Sequence, residues 1–308
     1  MFIDLFFSRI FNIPKNSVII VYQGGFGNQL LQYFLGEELE KIYKKNIYFH
    51  DIRNDFKTRH NSDIQNLFEL NIERYNEDEL NLFLRLFFLS PIFLKFYKFI
   101  FLKFKIKIIS NYYFDQIEKP LDLNKVFKKE NPVILFGTWQ NLINQYKYST
   151  DSIQLKLKKN IRLPKGFNFN KKFISLHVRR GDYFNHKEAR FHGNLKINYY
   201  LEGVKFLRDK FGDIPVFLFS DDKEWLRNNL SQLIPNSFVF SSAKSSPEID
   251  FYIMTRANYF ILSNSTFSWL AAFLSKYEKK FIILPRFWFK DRQISSFYIY
   301  KDWQYKVI

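Results

Sequence analysis

The 308-residue sequence contains no cysteine, which excludes disulfide bonds and any chemistry that depends on a thiolate, and is compatible with a reducing cytoplasm. It also lacks an uncharged apolar run of about 20 residues, the length that a membrane-spanning helix needs. The first residues, MFIDLFFSRIF, carry no basic region at their start and no small-residue cleavage site. We therefore expect neither a spanning helix nor a signal peptide.

Signatures of nucleic-acid-binding modules are absent as well: there is no zinc-finger spacing, no basic zipper and no RRM motif. The formal net charge of +17 and the pI of about 9.6 nevertheless predict a surface that attracts anions. Nucleic acid, anionic lipid and phosphorylated small molecules all carry such charge. Without a recognisable module, we do not expect nucleic acid to be the partner.

Strand and helix patterns alternate along the chain, which is typical of an α/β protein with parallel sheets. The patterns predict strands at 17–22, 46–50, 132–137, 172–178, 215–220, 237–241, 259–263 and 280–285, and helices at 28–44, 198–211, 222–230, 247–257 and 266–276. A basic segment with Pro164 and Gly166 precedes a new strand and predicts a boundary between domains 1–165 and 166–308. Because each half begins with a strand, we predict two Rossmann-type domains facing a central cleft.

Segment 80–109 is very apolar, but basic residues and Pro91 interrupt it. Two interpretations remain open. The segment forms helices buried against their own domain, with the lysine stems lying along the apolar surface. Alternatively, it forms an in-plane membrane anchor that is apolar on one face and basic on the other.

The stretch QGGFGNQLLQYFLG, at residues 23–36, follows a β-branched strand and opens an amphipathic helix. Glycines at such a turn let the backbone approach a ligand, and the helix offers free N–H groups to a phosphate. Gly27 and Asn28 are therefore candidate ligand contacts. A dinucleotide fingerprint is incomplete because Leu30 replaces its third glycine, although Asp51 ends the second strand where a ribose carboxylate would lie. The alternative is a tight turn in which Asn28 caps the helix.

The segment HVRRGDY, at residues 177–183, ends a strong strand. His177 and Arg179 share one face of that strand and Arg180 lies on the other, next to Gly181. Open α/β sheets bind ligands at this end of their strands, and guanidinium groups clamp diphosphates through two hydrogen bonds. The pair therefore predicts a diphosphate site, with Asp182 able to orient one arginine. A surface ion pair is the alternative.

Three further polar sites follow predicted elements, and each has a structural alternative. Asp221, in FSDDKEW, contacts a nucleotide, sugar or metal, or it forms a capping box with Glu224. Ser265 and Thr266, in SNSTFSW, bind phosphate or ribose oxygens, or they only cap a helix. Asp250 accepts hydrogen bonds from a guanine edge, or it is a solvated acid.

Together, GGFGNQLLQY, HVRRGDY, FSDDKEW and DFYIMTRANYFILSNSTFSWLAAFL resemble, in order and spacing, the α-1,2-fucosyltransferases of glycosyltransferase family 11. The chain looks like a bacterial member. The resemblance covers about residues 18–275, although segment 52–131 matches none of the family's motifs. The hexapeptide H-x-R-R-x-D, from His177 to Asp182, is shared with α-1,6- and protein O-fucosyltransferases. The resemblance implies a GT-B-like fold that binds GDP-fucose in its cleft, with the C-terminal domain on the donor side and the N-terminal domain, 1–165, on the acceptor side.

The resemblance also implies roles for individual residues. Arg179 and Arg180 would hold the diphosphate, and His177 and Asp250 would contact the guanosine. Ser265 and Thr266 would hold phosphate oxygens. Gly27 and Asn28 would face the diphosphate and the fucose from the other domain.

The implied reaction moves L-fucose from GDP-β-L-fucose to O2 of a galactose with inversion, so one displacement suffices. Arg180 can stabilise the departing GDP in place of a divalent ion, so we expect no metal and no cofactor. Glu188, in EARFH, is one candidate for the base, and Asp182 is another. The acceptor would be a galactose-containing oligosaccharide or lipid-linked glycan at the cytoplasmic face of the membrane. Another GDP-sugar linkage and a non-enzymatic basic binding protein remain the alternatives.

Overall fold

The computed structural model describes residues 13–52, 63–75, 107–110, 122–142, 171–181, 192–240, 246–290, 292–294, 296–300 and 302–308. The chain folds as two compact units. The first comprises Met1–Asn61 and Leu70–Tyr148, and the second comprises Ser62–Glu69 and Ser149–Ile308. The predicted boundary at 165/166 lies outside the described residues and stays a prediction. The sequence patterns do not predict that Ser62–Glu69 belongs to the second unit.

The first unit contains a four-stranded parallel sheet with the strand order β2-β1-β4-β3. Its elements are β1 (Ser17–Tyr22), α1 (Phe26–Tyr43), β2 (Asn46–Asp51), β3 (Lys107–Ser110), α2 (Leu123–Phe127), β4 (Val133–Phe136) and a 3₁₀ turn (Gln140–Leu142). All six residues of β1 and all four of β4 are buried, as expected for central strands covered on both faces. The turns that follow β1 and β4 are therefore anchored to strands that lie in the core.

The second unit contains a six-stranded parallel sheet with the strand order β12-β9-β8-β5-β6-β7. Its strands are β5 (Ile174–Val178), β6 (Val216–Ser220), β7 (Ser237–Val239), β8 (Tyr259–Ile261), β9 (Phe281–Leu284) and β12 (Gln304–Val307). Its helices are α3 (Ile197–Phe211), α4 (Lys223–Trp225), α5 (Pro247–Met254) and α6 (Thr266–Phe273). A short antiparallel pair, β10 (Phe287–Phe289) and β11 (Arg292–Gln293), lies outside the main sheet.

Helix α3 packs on this sheet through a buried face that includes Tyr200, Val204 and Leu207. Gly203 lies on the same face, and a Cβ there would come within 3.2 Å of the Ile261 side chain. A side chain at this position would require the Ile261 side chain to shift by a few tenths of an ångström, so glycine favours the close approach of the helix to β8.

The segment Ser62–Glu69 packs on α5 within the second unit. Its 3₁₀ turn, Ile64–Asn66, is capped by Asp63, whose carboxylate accepts from the N–H of Gln65. The ring of Phe68 meets that of Phe251 edge to face with centroids 6.5 Å apart, and the Asn66 amide donates to Glu248 over 3.2 Å. The segment therefore contributes both apolar and polar contacts to the helix.

The predicted α/β class with parallel sheets is confirmed, and all eight predicted strands are present within one or two residues of their ends. The helix predicted at 222–230 is present, but only its first residues are α-helical. That region is the short helix α4 followed by a π-helical turn at Leu226–Leu230. The spacing of apolar residues does not distinguish an α-helix from a π-helix here, because either type of helix would bury Leu226 and Leu230.

Candidate functional site

The two arginines after β5 lie at the carboxyl edge of the second sheet, and Asp221 holds their backbone in place. Asp221 directly follows β6, the parallel neighbour of β5. Its carboxylate accepts the N–H of Arg180 over 2.9 Å and that of Gly181 over 3.0 Å. It also forms an ion pair with Arg179 over 3.0 Å. A Cβ at Gly181 would lie 2.8 Å from Asp221 Oδ2, so this arrangement requires glycine.

The guanidinium of Arg180 is fixed by two further groups. Its Nε donates to Asp222 Oδ2 over 3.2 Å, and its Cζ lies 3.9 Å from the centre of the Trp225 ring. Asp222 Oδ1 accepts the N–H of Trp225 over 3.0 Å and so caps α4. The cap predicted at Asp221 therefore occurs one residue later, because the Asp221 carboxylate is engaged by the arginine turn. No role for Trp225 was predicted from the sequence, although its position three residues after Asp222 could have indicated one.

His177 is buried, with an exposed fraction of 3%. Its Nδ1 lies 2.7 Å from Ser263 Oγ, and its ring packs against Phe267 with centroids 5.4 Å apart. Burial is the main reason that the pKa of His177 falls to about 3; Asp221 opposes this fall, and Arg179 adds to it. The imidazole is therefore neutral at working pH and ties the end of β5 to the turn after β8.

The serine-rich turn after β8 is held by its own side chains. Ser265 caps α6 by accepting the N–H of Phe267 over 3.3 Å, so the capping interpretation holds for this residue. Asn264 donates to the carbonyl oxygens of His192 and Trp288 over 2.9 and 3.2 Å. Thr266 is the first residue of α6 and is half-buried. These hydrogen bonds fix the conformation of the turn. The phosphate contacts expected of Ser265 and Thr266 stay predictions.

Asp250 lies in the first turn of α5, with an exposed fraction of 7%, so it is not the solvated acid of the alternative interpretation. Its Oδ2 forms an ion pair with Lys223 over 3.1 Å. Its Oδ1 is buried without a hydrogen-bond partner among the residues that the structure describes. Burial raises the pKa of Asp250 to about 6, although Lys223 opposes the rise. A buried acceptor beside a cation is suited to a ligand that donates hydrogen bonds.

In the first unit, the glycine turn joins β1 to α1. Gly24 has φ of +77°, and its carbonyl accepts from the Gln29 side chain over 2.9 Å. The N-cap of α1 is Gly25, which provides no side-chain hydrogen bond. Asn28 therefore does not cap the helix, as the alternative interpretation required. Asn28 and the buried Gly27 instead lie in the first turn of this helix.

Asp51, the candidate ribose carboxylate of a dinucleotide site, forms an ion pair with Arg74 over 3.0 Å. The Arg74 guanidinium also lies 5.0 Å from the centre of the Tyr22 ring. With Asp51 engaged and the third glycine missing, the first unit does not match a nicotinamide-binding domain.

Several predicted features lie outside the described residues: Asp182, Glu188 and all of segment 80–109 except 107–109. Residues 107–109 belong to strand β3, so the helical interpretation of the segment is wrong for these three residues. Within the described ranges, no three His, Asp or Glu side chains come together as a metal site would require. No helix in those ranges is both long enough and apolar enough to cross a bilayer.

Comparison with known proteins identifies the family. The profile of glycosyl transferase family 11 matches residues 17–306. The chain belongs to this family. The resemblance carried by the four motifs is thereby confirmed.

Curated relatives of this family-11 chain match over part of their length. An alpha-1,2-colitosyltransferase of Escherichia coli is 34% identical over 40% of this chain and 43% of its own length. The O-antigen biosynthesis glycosyltransferase WbnK of Escherichia coli is 35% identical over 41% and 42%. Galactoside alpha-(1,2)-fucosyltransferase 1 of Alouatta belzebul is 31% identical over 37% and 32%. The matched stretches thus span less than half of each relative.

Among solved structures, NodZ alpha-1,6-fucosyltransferase soaked with GDP-fucose aligns over 85% of this chain and 93% of its own. The TM-score is 0.51 and the identity is 18%. This likeness bears on the fold alone. It confirms the predicted GT-B-like class for the family-11 chain.

Proposed function

We propose that this protein is an inverting α-1,2-fucosyltransferase. It moves L-fucose from GDP-β-L-fucose to O2 of a terminal galactose in a surface glycan such as O-antigen or lipopolysaccharide. The observation that carries the proposal is the arginine turn after β5, in which Asp221 fixes the backbone and Asp222 and Trp225 fix the guanidinium of Arg180. Family membership and the names of the curated relatives support it.

In the proposed reaction, the galactose O2 attacks C1 of fucose while the bond from C1 to the β-phosphate oxygen breaks. The bonding electrons leave with GDP, which gains negative charge. Arg179 and Arg180 bind the diphosphate, and Arg180 stabilises the charge of the leaving group without a metal or cofactor. The acceptor proton passes to a carboxylate, with Glu188 and Asp182 as the candidates.

The remaining donor contacts follow the same proposal. Asp250 accepts hydrogen bonds from guanine through its buried Oδ1, and His177 orients the nucleoside side of the site. Ser265 and Thr266 contact phosphate oxygens. Gly27 and Asn28 offer the N–H groups of the first turn of α1 to the diphosphate and fucose.

A second candidate donor is GDP-linked colitose, which lacks the 3-hydroxyl of fucose. The alpha-1,2-colitosyltransferase relative favours this possibility. The diphosphate and guanine contacts proposed above do not involve O3, so they do not separate the two sugars. A site that hydrogen-bonds O3 rejects the deoxy sugar, whereas an apolar contact there accepts both.

The first test is a donor screen by calorimetry with GDP, GDP-fucose, GDP-colitose, GDP-mannose, UDP-galactose and NAD, in the presence of EDTA. Binding of GDP and GDP-fucose supports the donor and the metal independence together. NMR of the product then checks the α-1,2 linkage. Binding of NAD alone contradicts the proposal.

An Arg180→Ala variant distinguishes the enzyme from a non-enzymatic basic binding protein. Loss of leaving-group stabilisation is expected to slow transfer on the order of a hundredfold or more. A variant that retains full function supports the binding protein instead.

We also propose that the protein works at the cytoplasmic face of the membrane on a lipid-linked acceptor. The net charge of +17 and the apolar, basic segment 80–109 motivate this location. Co-sedimentation with anionic liposomes at low salt is expected. Absence of binding under those conditions contradicts the membrane contact.

A further inference from the structure

Two side-chain donors near the carboxyl edge of the first sheet are buried without a hydrogen-bond partner among the described residues. They are Nε2 of Gln23 and the indole Nε1 of Trp139. The exposed fractions of these residues are 9% and 2%. Native proteins pair nearly all buried N–H groups, because desolvating an unpaired donor is unfavourable. Two such donors in neighbouring turns point to a ligand that accepts hydrogen bonds.

The topology brings these two donors to the same place. Gln23 follows β1 and Trp139 follows β4, and these strands are the central parallel pair of the sheet. The Gln32 side chain links the two turns, since it accepts the Gln23 N–H over 3.1 Å and donates to the Gly137 carbonyl over 2.9 Å. Open α/β sheets bind ligands outside the carboxyl ends of their strands, next to the point where the strand order reverses.

The backbone at Trp139 provides an independent observation. Its φ is +57°, a left-handed conformation that is rare for a bulky residue. Such strain persists where the surrounding structure enforces it, and it concentrates at ligand sites. The 3₁₀ turn Gln140–Leu142 follows at once, and the N–H of Leu142 bonds the Trp139 carbonyl over 3.2 Å. The strained residue is therefore locked in a short, ordered turn.

The chemistry of the two turns favours a neutral ligand. Residues 23–25 and 137–142 include no charged side chain, and the two donors are a neutral amide and a neutral indole. A diphosphate is better matched by guanidinium groups, such as those of Arg179 and Arg180 in the second unit. Sugar hydroxyls accept hydrogen bonds from neutral amide and indole groups.

We propose that this edge of the first sheet binds the acceptor sugar, with Gln23 and Trp139 donating hydrogen bonds to its oxygens. The inference rests on the proposed function, which requires a neutral galactoside as the second substrate. It assigns the acceptor to Gln23, at the start of the glycine-rich stretch 23–36, and to Trp139, to neither of which the sequence motifs gave a role.

The test uses the full-length protein and two near-isosteric variants. Trp139→Phe removes the indole N–H and keeps an aromatic ring, and Gln23→Leu removes the amide at similar volume. Lactose, which ends in β-galactose, is the acceptor probe. Each variant is expected to raise the KM for lactose about three- to tenfold, the effect of one lost hydrogen bond. The Kd for GDP should stay within about twofold, because the diphosphate lies on other residues.

Thermal unfolding of the ligand-free protein separates binding from structure. Since neither donor has a hydrogen-bond partner among the residues that the structure describes, both variants should keep or raise the Tm. Trp303→Phe is the matched control. Trp303 Nε1 is also buried and has no hydrogen-bond partner among the described residues, but it lies in the second unit against Trp269. This control is expected to leave the KM for lactose unchanged.

Unchanged lactose KM in both variants overturns the inference. A raised KM for GDP-fucose with unchanged lactose KM also overturns it, because the two donors would then serve the donor sugar. A wild-type protein that transfers no sugar from any GDP-sugar refutes the proposed function instead, and this outcome is seen before any variant is made.

Discussion

Replacing Trp225 with alanine tests whether a stacked indole positions the guanidinium of Arg180, which we propose binds the diphosphate. The Arg180 Cζ lies 3.9 Å from the ring centre, and the side chain of Arg180 is only 19% exposed. A cation–π contact that is largely shielded from water contributes about 1–2 kcal/mol. In Trp225→Ala the guanidinium keeps its ion pair with Asp222 but loses the surface that fixes its plane. We expect the Kd for GDP to rise about five- to thirtyfold, which is the same free energy expressed as affinity.

The assay is calorimetry with GDP, followed by kcat/KM for GDP-fucose, which should fall by at least the same factor. Trp225→Phe is the matched control because it keeps an aromatic face, so its Kd for GDP should stay within about threefold of wild type. Thermal unfolding of both variants shows whether α4 remains folded. If Trp225→Ala binds GDP as tightly as wild type, the stacking does not position Arg180 and the reasoning is refuted.

Three more predictions concern the same edge of the second sheet. Gly181→Ala places a Cβ 2.8 Å from Asp221 Oδ2, so it should displace the arginine turn and weaken GDP binding about tenfold or more; calorimetry with unchanged affinity would contradict this. Burial raises the pKa of Asp250 to about 6, and under the proposed function the charged carboxylate is the form that accepts hydrogen bonds from guanine. GDP affinity should therefore be constant above about pH 7 and fall toward tenfold per pH unit below pH 6, a dependence that Asp250→Asn removes. The pKa of His177 falls to about 3, so its ring signals in NMR should not titrate between about pH 5 and 9, and a transition there would show that the ring is solvated.

The fold could largely be predicted from the sequence because its central strands are short apolar runs between turn residues. Strands β1, β4 and β9 are almost continuous runs of Ile, Val, Leu and Phe, as buried parallel strands require. Strand β12, QYKV, escaped prediction because it lies at the sheet edge, with three of its four residues exposed. An alternation of polar and apolar residues over only four positions is too short to predict a strand.

The candidate site could be predicted in part. The arginine pair was visible because two adjacent guanidinium groups after a strand have few packing uses. The stacking of Arg180 on Trp225 could not be predicted from the sequence, since it depends on how tightly α4 turns after β6. The burial of Asp250 could not be predicted from the sequence for a similar reason. Its ion-pair partner Lys223 is 27 residues away in sequence, and Phe68, which packs against the adjacent Phe251, is 183 residues from that ring; only the fold brings such residues to α5.

The placement of Ser62–Glu69 has a consequence for evolution and for protein engineering. The chain passes from the first unit to the second and back before it finally enters the second unit. An exchange of N-terminal halves between two family members therefore also exchanges Phe68 and Asn66, the residues that pack on α5 beside Asp250. If acceptor and donor preferences are encoded in separate halves, a single crossover between the halves would not exchange one preference without also changing residues that pack on the other half. A chimera that keeps its own 62–69 segment should fold and bind GDP better than one that imports it.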